Sequence, residues 1–350
     1  MYGKRKKYID TLKLLAIFGV ISLHIFQIWN QRLIFNIDII YGCSEISRFG
    51  VPLFLMISGA LLLNREIELV SFIKKKWIRL TYPFIFYLAI HFIIHLIFDI
   101  DLFNIFGYNW YFWMILCVFL VIPIINKFIL NSSMHELEYF VLMIFISSII
   151  YQVLNFIPVE NFIDLSFFMG PLSYIILGYY FSIKEFKISA NKLISICLLL
   201  FTVSTIMKMS GAMNFIPIEL TKNFAVTRTD VFTSYVDVGV FQIIQVSSLF
   251  LLIKNLYSSD SGFYFKFKKF LEIDTINKFI ISVSKASYGM YLINRTLMLY
   301  CDFYVKPLTL TGKQILASFI ILTFSIFFIS WIVVVILSKI PFLSKFSGYS

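Results

Sequence analysis

Charge is scarce in this chain. Only 14% of its 350 residues are Asp, Glu, Lys or Arg, where a soluble domain carries about a quarter. A water-soluble globule is thereby excluded. Short segments of alternating hydrophobicity are missing, which argues against a membrane β-barrel. The four cysteines, Cys43, Cys117, Cys197 and Cys301, show no metal-ligand spacing. Of the four histidines, only His91 and His95 share a helical spacing, and two ligands are a weak metal signal. No metal site is expected. No basic stretch carries the interleaved pattern of a nucleic-acid surface, so the net charge of +11 points elsewhere. No internal repeat is visible, which counts against transporter folds built from repeated halves. The basic start, Lys4 to Lys7, resembles a signal peptide, but the apolar run after it is too long and lacks a small-residue cleavage site. An uncleaved first span is expected.

What remains is strongly apolar: 60% hydrophobic residues, with 41 Phe and 20 Tyr, and a mean hydropathy of +0.88. The expected fold is all-α, a polytopic integral membrane protein. Hydropathy places about ten transmembrane helices near 9–30, 46–63, 79–98, 110–130, 137–155, 165–183, 192–210, 235–255, 277–300 and 313–337. Cytoplasmic loops collect Lys and Arg. With the N-terminus inside, most cations fall on inner segments, including Lys74 to Lys76, Lys184, Lys187 and Lys266 to Lys269. Arg32, Lys208, Lys222, Arg228, Lys306 and Lys313 fall outside. Both termini are therefore expected to be cytoplasmic, and residues 1–350 to form a single membrane domain with no separate soluble part. Cys43 and Cys301 both fall near the outer face, where a disulfide is one option. The longest outer connection, from about Ser210 to Ser234, is expected either to cap a cleft or to be plain surface.

Four polar clusters interrupt the apolar background. The first span, Tyr8 to Trp29, contains Lys13 and His24, roughly 16 Å apart along a helix axis. An ionisable residue at membrane depth is costly and faces a cavity or a partner. Arg48 opens the second cluster, ISRFGVPLFLMISGALLL from Ile46 to Leu63. The third, KKKWIRLTYPF from Lys74 to Phe84, brings cations to the membrane just before Pro83. The fourth is SKASYGMYLINRTL, Ser284 to Leu297, in which Ser287, Tyr291 and Asn294 or Arg295 share a helix face.

Together these clusters resemble the membrane acyltransferase-3 family, polytopic O-acyltransferases that modify extracytoplasmic glycans. The family pattern opens with Ile-Asp, Leu-Arg and a His at the spacing found here. It continues with Arg-x-x-Val-Pro-Leu-Phe-Phe-x-Ile-Ser-Gly, matched by Arg48, Val51, Pro52, Phe54, Ser58 and Gly59. A basic-x-x-basic stretch before a Pro follows, then a late Ser-Tyr-Gly-x-Tyr-Leu-x-His. WYFWMILCVFLVIPII and GPLSYIILGYY resemble two intermediate spans. Two positions depart. The family's first-span Arg is Lys13, which keeps the charge and loses the planar fork. The late His is Asn294, which cannot exchange a proton at neutral pH.

The resemblance implies acetyl-CoA, or another acyl-CoA, as cytoplasmic co-substrate, with no bound cofactor. It implies a glycan or lipid-linked sugar hydroxyl as acceptor, membrane lipids as surroundings and no nucleic acid. The setting implied is a multi-pass protein of a bacterial cell membrane. Coenzyme A carries a 3′-phosphate and a pyrophosphate, so its site needs cations; Arg79, Lys76 and Lys13 are the candidates. The plainer alternative for the lysine run is a topology signal or a lipid contact. An imidazole suits a general base, so His24 is the candidate catalyst, as base or as transient acyl carrier. Its plainer alternative is a buried His bonded to a neighbouring helix. Arg48 is the second catalytic candidate; it could stabilise the oxyanion, grip the donor or hold His24. Asp10 is expected to pair with the basic N-terminal cluster or to cap the first helix. Ser287, Tyr291, Asn294 and Arg295 are candidates to line the acceptor cavity. The competing functions are a non-catalytic exporter of polysaccharide or lipid-linked sugar, and a degenerate family member.

Overall fold

The computed structural model describes residues 5–30, 44–98, 110–154, 170–212, 239–304 and 312–349. Cys43, Arg32 and nearly all of the expected outer connection lie outside them. Every regular element among the described residues is helical. In chain order these are α1 (Lys7–Asn30), α2 (Gly50–Leu62), α3 (Leu69–Phe98), α4 (Trp110–Asn131), α5 (Met134–Leu154) and α6 (Pro171–Ile183). Then come α7 (Ala190–Ala212), α8 (Val240–Leu256), α9 (Gly262–Leu271), α10 (Asp274–Tyr304), α11 (Gly312–Lys339) and a 3₁₀ turn, Leu343–Phe346.

Among the described residues, seven helices are long and apolar enough to cross a membrane: those within α1, α3, α4, α5, α7 and α11, and the stretch Ser44–Leu62 that contains α2. Two more, α6 and α8, are apolar but shorter. Helix α10 is long and more polar, and α9 coincides with no expected span. The third span was expected to start at residue 79, but α3 starts at Leu69. Its first turn is capped by Glu68, whose carboxylate accepts from the backbone N–H of Val70 (3.1 Å) and Ser71 (2.8 Å). The basic run Lys74 to Arg79 therefore lies inside a helix. Helix α5 begins with a reciprocal cap. The Ser133 N–H and hydroxyl donate to Glu136, and the Glu136 N–H donates back to Ser133 Oγ.

The chain divides into two compact units. The first comprises Met1–Leu61 and Ser132–Ile281. In it, α8 packs against α7, α6, α1 and α5. Helices α2 and α6 approach until their backbones touch. A Cβ on Gly59 would lie 1.8 Å from the Ile175 carbonyl oxygen, and one on Gly178 would lie 2.0 Å from that of Met56. Small residues permit such contact between membrane helices, where packing drives association. Lys254 of α8 closes the end of α6, donating to the carbonyls of Phe181 (2.8 Å) and Lys184 (2.9 Å).

The second unit comprises Leu62–Asn131 and Ser282–Ser350. There α3 packs on α4, and the 3₁₀ turn packs on α3 and α11. Asn126 pairs through its side-chain amide with both backbone groups of Arg65, fixing the connection between α2 and α3.

Candidate active site

Helix α1 supplies the first group of candidates. It is the most enclosed of the candidate spans, with 72% of its most apolar stretch buried in the protein against 28% for α3. His24 is buried at 8% exposure, and Lys13 is half-buried. They are eleven positions apart, close to three full turns, so both lie on one face of the helix. Asp10 binds Arg5 through two hydrogen bonds of 2.6 and 2.8 Å. That pairing with the N-terminal basic cluster is one of the two roles expected for it. Thr11 bonds Tyr257 of the α8–α9 connection at 2.8 Å, tying the start of α1 to its neighbours.

Arg48 lies in a turn between a short helical segment, 44–47, and α2. This turn packs on α1 at the middle of its length. A Cβ on Gly50 would meet the Ala16 carbonyl oxygen at 2.8 Å, and one on Gly19 would meet the Phe49 ring at 2.9 Å. The Arg48 backbone is thus level with α1 residues that fall between Lys13 and His24. Its side chain is 29% exposed and ion-paired with Glu45, Nε lying 2.5 Å from Oε1.

Glu45 was not anticipated from the sequence, and neither were the groups around it. Its second oxygen lies 3.0 Å from Lys208 Nζ. Lys208 was counted among the outer cations, yet it belongs to α7 and is 6% exposed. Its ammonium also contacts the side-chain oxygens of Gln242 and Gln245 in α8. The Gln242 amide donates to the Arg48 carbonyl and the Gln245 amide to the Glu45 carbonyl, each at 3.2 Å. Gln245 also donates to Thr205 Oγ1 at 2.8 Å. Two cations and one carboxylate are thus held together, and both glutamines hold the irregular backbone that carries Arg48. The polar spacing of Lys208 with Thr205, and of Gln242 with Gln245, was the only sequence trace of this group.

The second unit holds the other candidates. Lys74, Lys75 and Arg79 are exposed on α3. Lys76 is half-buried, its ammonium 5.7 Å from the centroid of Phe72 and 5.4 Å from that of Phe119. Pro83 cannot donate to the Arg79 carbonyl, which loosens this stretch of α3. Tyr288 of α10 donates its hydroxyl to the adjoining Leu80 carbonyl at 2.8 Å. On α10, Ser287 donates to the Ser284 carbonyl at 3.0 Å. The Tyr291 ring meets that of Tyr111 edge-on at 5.0 Å. The Tyr291 hydroxyl is buried and has no hydrogen-bond partner among the described residues. Asn294 is fully buried, with its amide N–H groups on the carbonyls of Met290 (3.0 Å) and Tyr291 (2.6 Å). Arg295 is half-buried. His91 is bonded through Nδ1 to Thr296 Oγ1 at 2.9 Å.

The structure thus brings the turn of Arg48 onto the helix of Lys13 and His24, and it gathers Ser287, Tyr291, Asn294 and Arg295 on α10. A family model described as an acyltransferase domain, that of acyltransferase-3, matches residues 6–338. The chain belongs to the acyltransferase-3 family. No curated protein and no solved structure gives a match. An acyltransferase-3 chain with this many apolar helices is a membrane acyltransferase. In this acyltransferase-3 protein, the side chain at the family's late His position is an amide turned onto its own helix.

Proposed function

We propose that this protein transfers an acyl group, specifically acetyl, from cytoplasmic acyl-CoA to a hydroxyl of a cell-surface or lipid-linked glycan. We place it in a bacterial cell membrane, crossing ten times with both termini inside. The observation that carries the reading is the pairing of family membership with a buried His24 on the most enclosed candidate span. The turn that carries Arg48 packs on the same helix, at Ala16 to Val20.

In this mechanism neutral His24 accepts the proton of the acceptor hydroxyl. The oxygen attacks the thioester carbon and forms a C–O bond. The carbonyl oxygen becomes an oxyanion, which the permanent charge of Arg48 stabilises. Collapse breaks the C–S bond, and the departing thiolate takes the proton from His24. The products are the O-acyl ester and free coenzyme A, with His24 neutral again. Lys13 lies about three turns nearer the start of α1 than His24, a position suited to the phosphate end of the donor. Arg79 offers phosphate a planar fork and Lys76 a point charge. Ser287, Tyr291, Asn294 and Arg295 are assigned to the acceptor cavity; the Tyr291 hydroxyl, which has no hydrogen-bond partner among the described residues, has capacity to spare for a ligand.

The test is coenzyme A release by purified protein in nanodiscs, supplied with acetyl-CoA and an extract of the host's glycan precursors. Release should require the extract and disappear in His24→Ala. A His24→Ala protein with full activity overturns the role of His24. No release from wild type, in an extract proven to contain acceptor, shifts the assignment to sugar export or to a degenerate member.

A further inference from the structure

Among the described α-helices, α9 alone overlaps no expected span and carries no candidate site residue. Its sequence, GFYFKFKKFL, alternates aromatic and basic residues, and none of its residues is buried. Phe263, Phe267 and Phe270 recur at i, i+4 and i+7 and so form one stripe. They are 75%, 44% and 51% exposed. The Phe267 and Phe270 rings stack on each other with centroids 6.2 Å apart. Exposed Lys266 and Lys269 form the adjoining stripe. Phe265, on the opposite side, lies under the ammonium of Lys269 at 4.6 Å and of Lys268 at 5.8 Å.

The helix is held at a definite depth. Tyr264 bonds Ser195 at 3.1 Å, and Ser195 is the sixth residue of the candidate span Ala190–Met209. Asn191, the second residue of that span, donates to the Ser261 carbonyl at 3.1 Å and accepts from Ser259 at 2.7 Å. Five residues separate α9 from the end of α8, and two separate it from the start of α10. A helix fixed at the first turns of a membrane span lies at the hydrocarbon–headgroup boundary. A phenylalanine stripe edged by lysines is the pattern that inserts there, and its charge complements anionic headgroups.

We propose that α9 is an interfacial anchor whose phenylalanine stripe enters the bilayer surface while Lys266 and Lys269 gather anionic phospholipid. The occupant is the lipid leaflet itself. The proposal rests on the membrane character of the chain and is independent of acyl transfer, so its test reads no catalysis.

The test uses the full-length protein in phosphatidylcholine nanodiscs with Phe263→Trp as reporter and the wild-type fluorescence subtracted. Phe267→Trp serves as a second reporter should the first disturb folding. A minor fraction of either brominated phosphatidylglycerol or brominated phosphatidylcholine is then added as quencher. The reporter should be quenched by both lipids, and about fivefold more efficiently by the anionic one. Lys266→Gln/Lys269→Gln should abolish the difference and keep the quenching. Quenching by neither lipid means that water or protein covers the face, and overturns the proposal. Equal quenching by both with the lysines intact overturns the anionic preference. A blue-shifted but unquenched reporter assigns the face to a second copy of the chain.

Discussion

Glu45 sits at the centre of a buried charge cluster in the first unit. One carboxylate serves two cations, Arg48 at 2.5 Å and Lys208 at 3.0 Å, and Lys208 is almost wholly out of water. Removing one partner of a buried ion pair leaves a charge that nothing nearby compensates, at a cost of about 3 kcal/mol. Glu45→Gln should therefore lower the thermal unfolding midpoint in detergent sharply, and Glu45→Gln/Lys208→Met should recover much of the loss. If the double variant is no more stable than the single, Lys208 is not the charge that Glu45 neutralises. The contrast with His24 shows what a sequence reveals at this scale. His24, Lys13 and Arg48 stand out because they interrupt apolar runs, and each is visible without knowing its partner. Glu45 lies in a short polar stretch that reads as a loop. Its partners are remote: Lys208 is over 160 residues on, with Gln242 and Gln245 further still. No period links them; only the packing of α7 and α8 does.

Among the elements, α2 and α6 are joined where neither has a side chain to offer. Gly59 and Gly178 both fall in the stretches that carry the family resemblance, and the structure gives them a mechanical reason. Adding one carbon at either would drive it to 1.8 or 2.0 Å from a main-chain oxygen, and no flexible side chain is available to yield. Gly59→Ala and Gly178→Ala should each destabilise by at least about 1–3 kcal/mol, the range for overpacked interiors. Thermal unfolding checks this. Either glycine variant melting with the wild type would mean that α2 and α6 do not touch. Helix positions were largely legible, because a run of apolar residues needs no tertiary information. The start of α3 was not, since Lys74 to Lys76 look like the end of a loop. They are instead carried on a helix capped by Glu68, with Lys76 set against the Phe72 and Phe119 rings. The close approach of α2 and α6 was equally hidden, for a glycine in a span signals a contact without naming the partner.

For the whole molecule, the proposed ten crossings depend most on α6 and α8. Their 13 and 17 residues rise only about 20 and 26 Å, against a hydrocarbon core of about 30 Å. Cations bracket both helices. Lys127 precedes α5 and α6, Lys187 follows them, Lys222 lies beyond α7, and Lys266 lies beyond α8. If α1 to α8 each cross, Lys127, Lys187 and Lys266 face the cytoplasm, and of these four Lys222 alone faces out, as the positive-inside rule requires. Single cysteines at these four positions test the arrangement with a membrane-impermeant thiol reagent on intact cells. The native Cys43, Cys117, Cys197 and Cys301 are first replaced by serine. Lys222→Cys should label, and the other three should label only after lysis. Labelling of Lys187→Cys on intact cells would mean that α5 and α6 together cross an odd number of times. The start of α7, with Ser195 and the attached α9, would then move to the outer face. Labelling of Lys266→Cys alone would put α9 across the membrane from the start of α7, which the Tyr264–Ser195 and Ser259–Asn191 bonds forbid, and would overturn the depth assigned to the anchor.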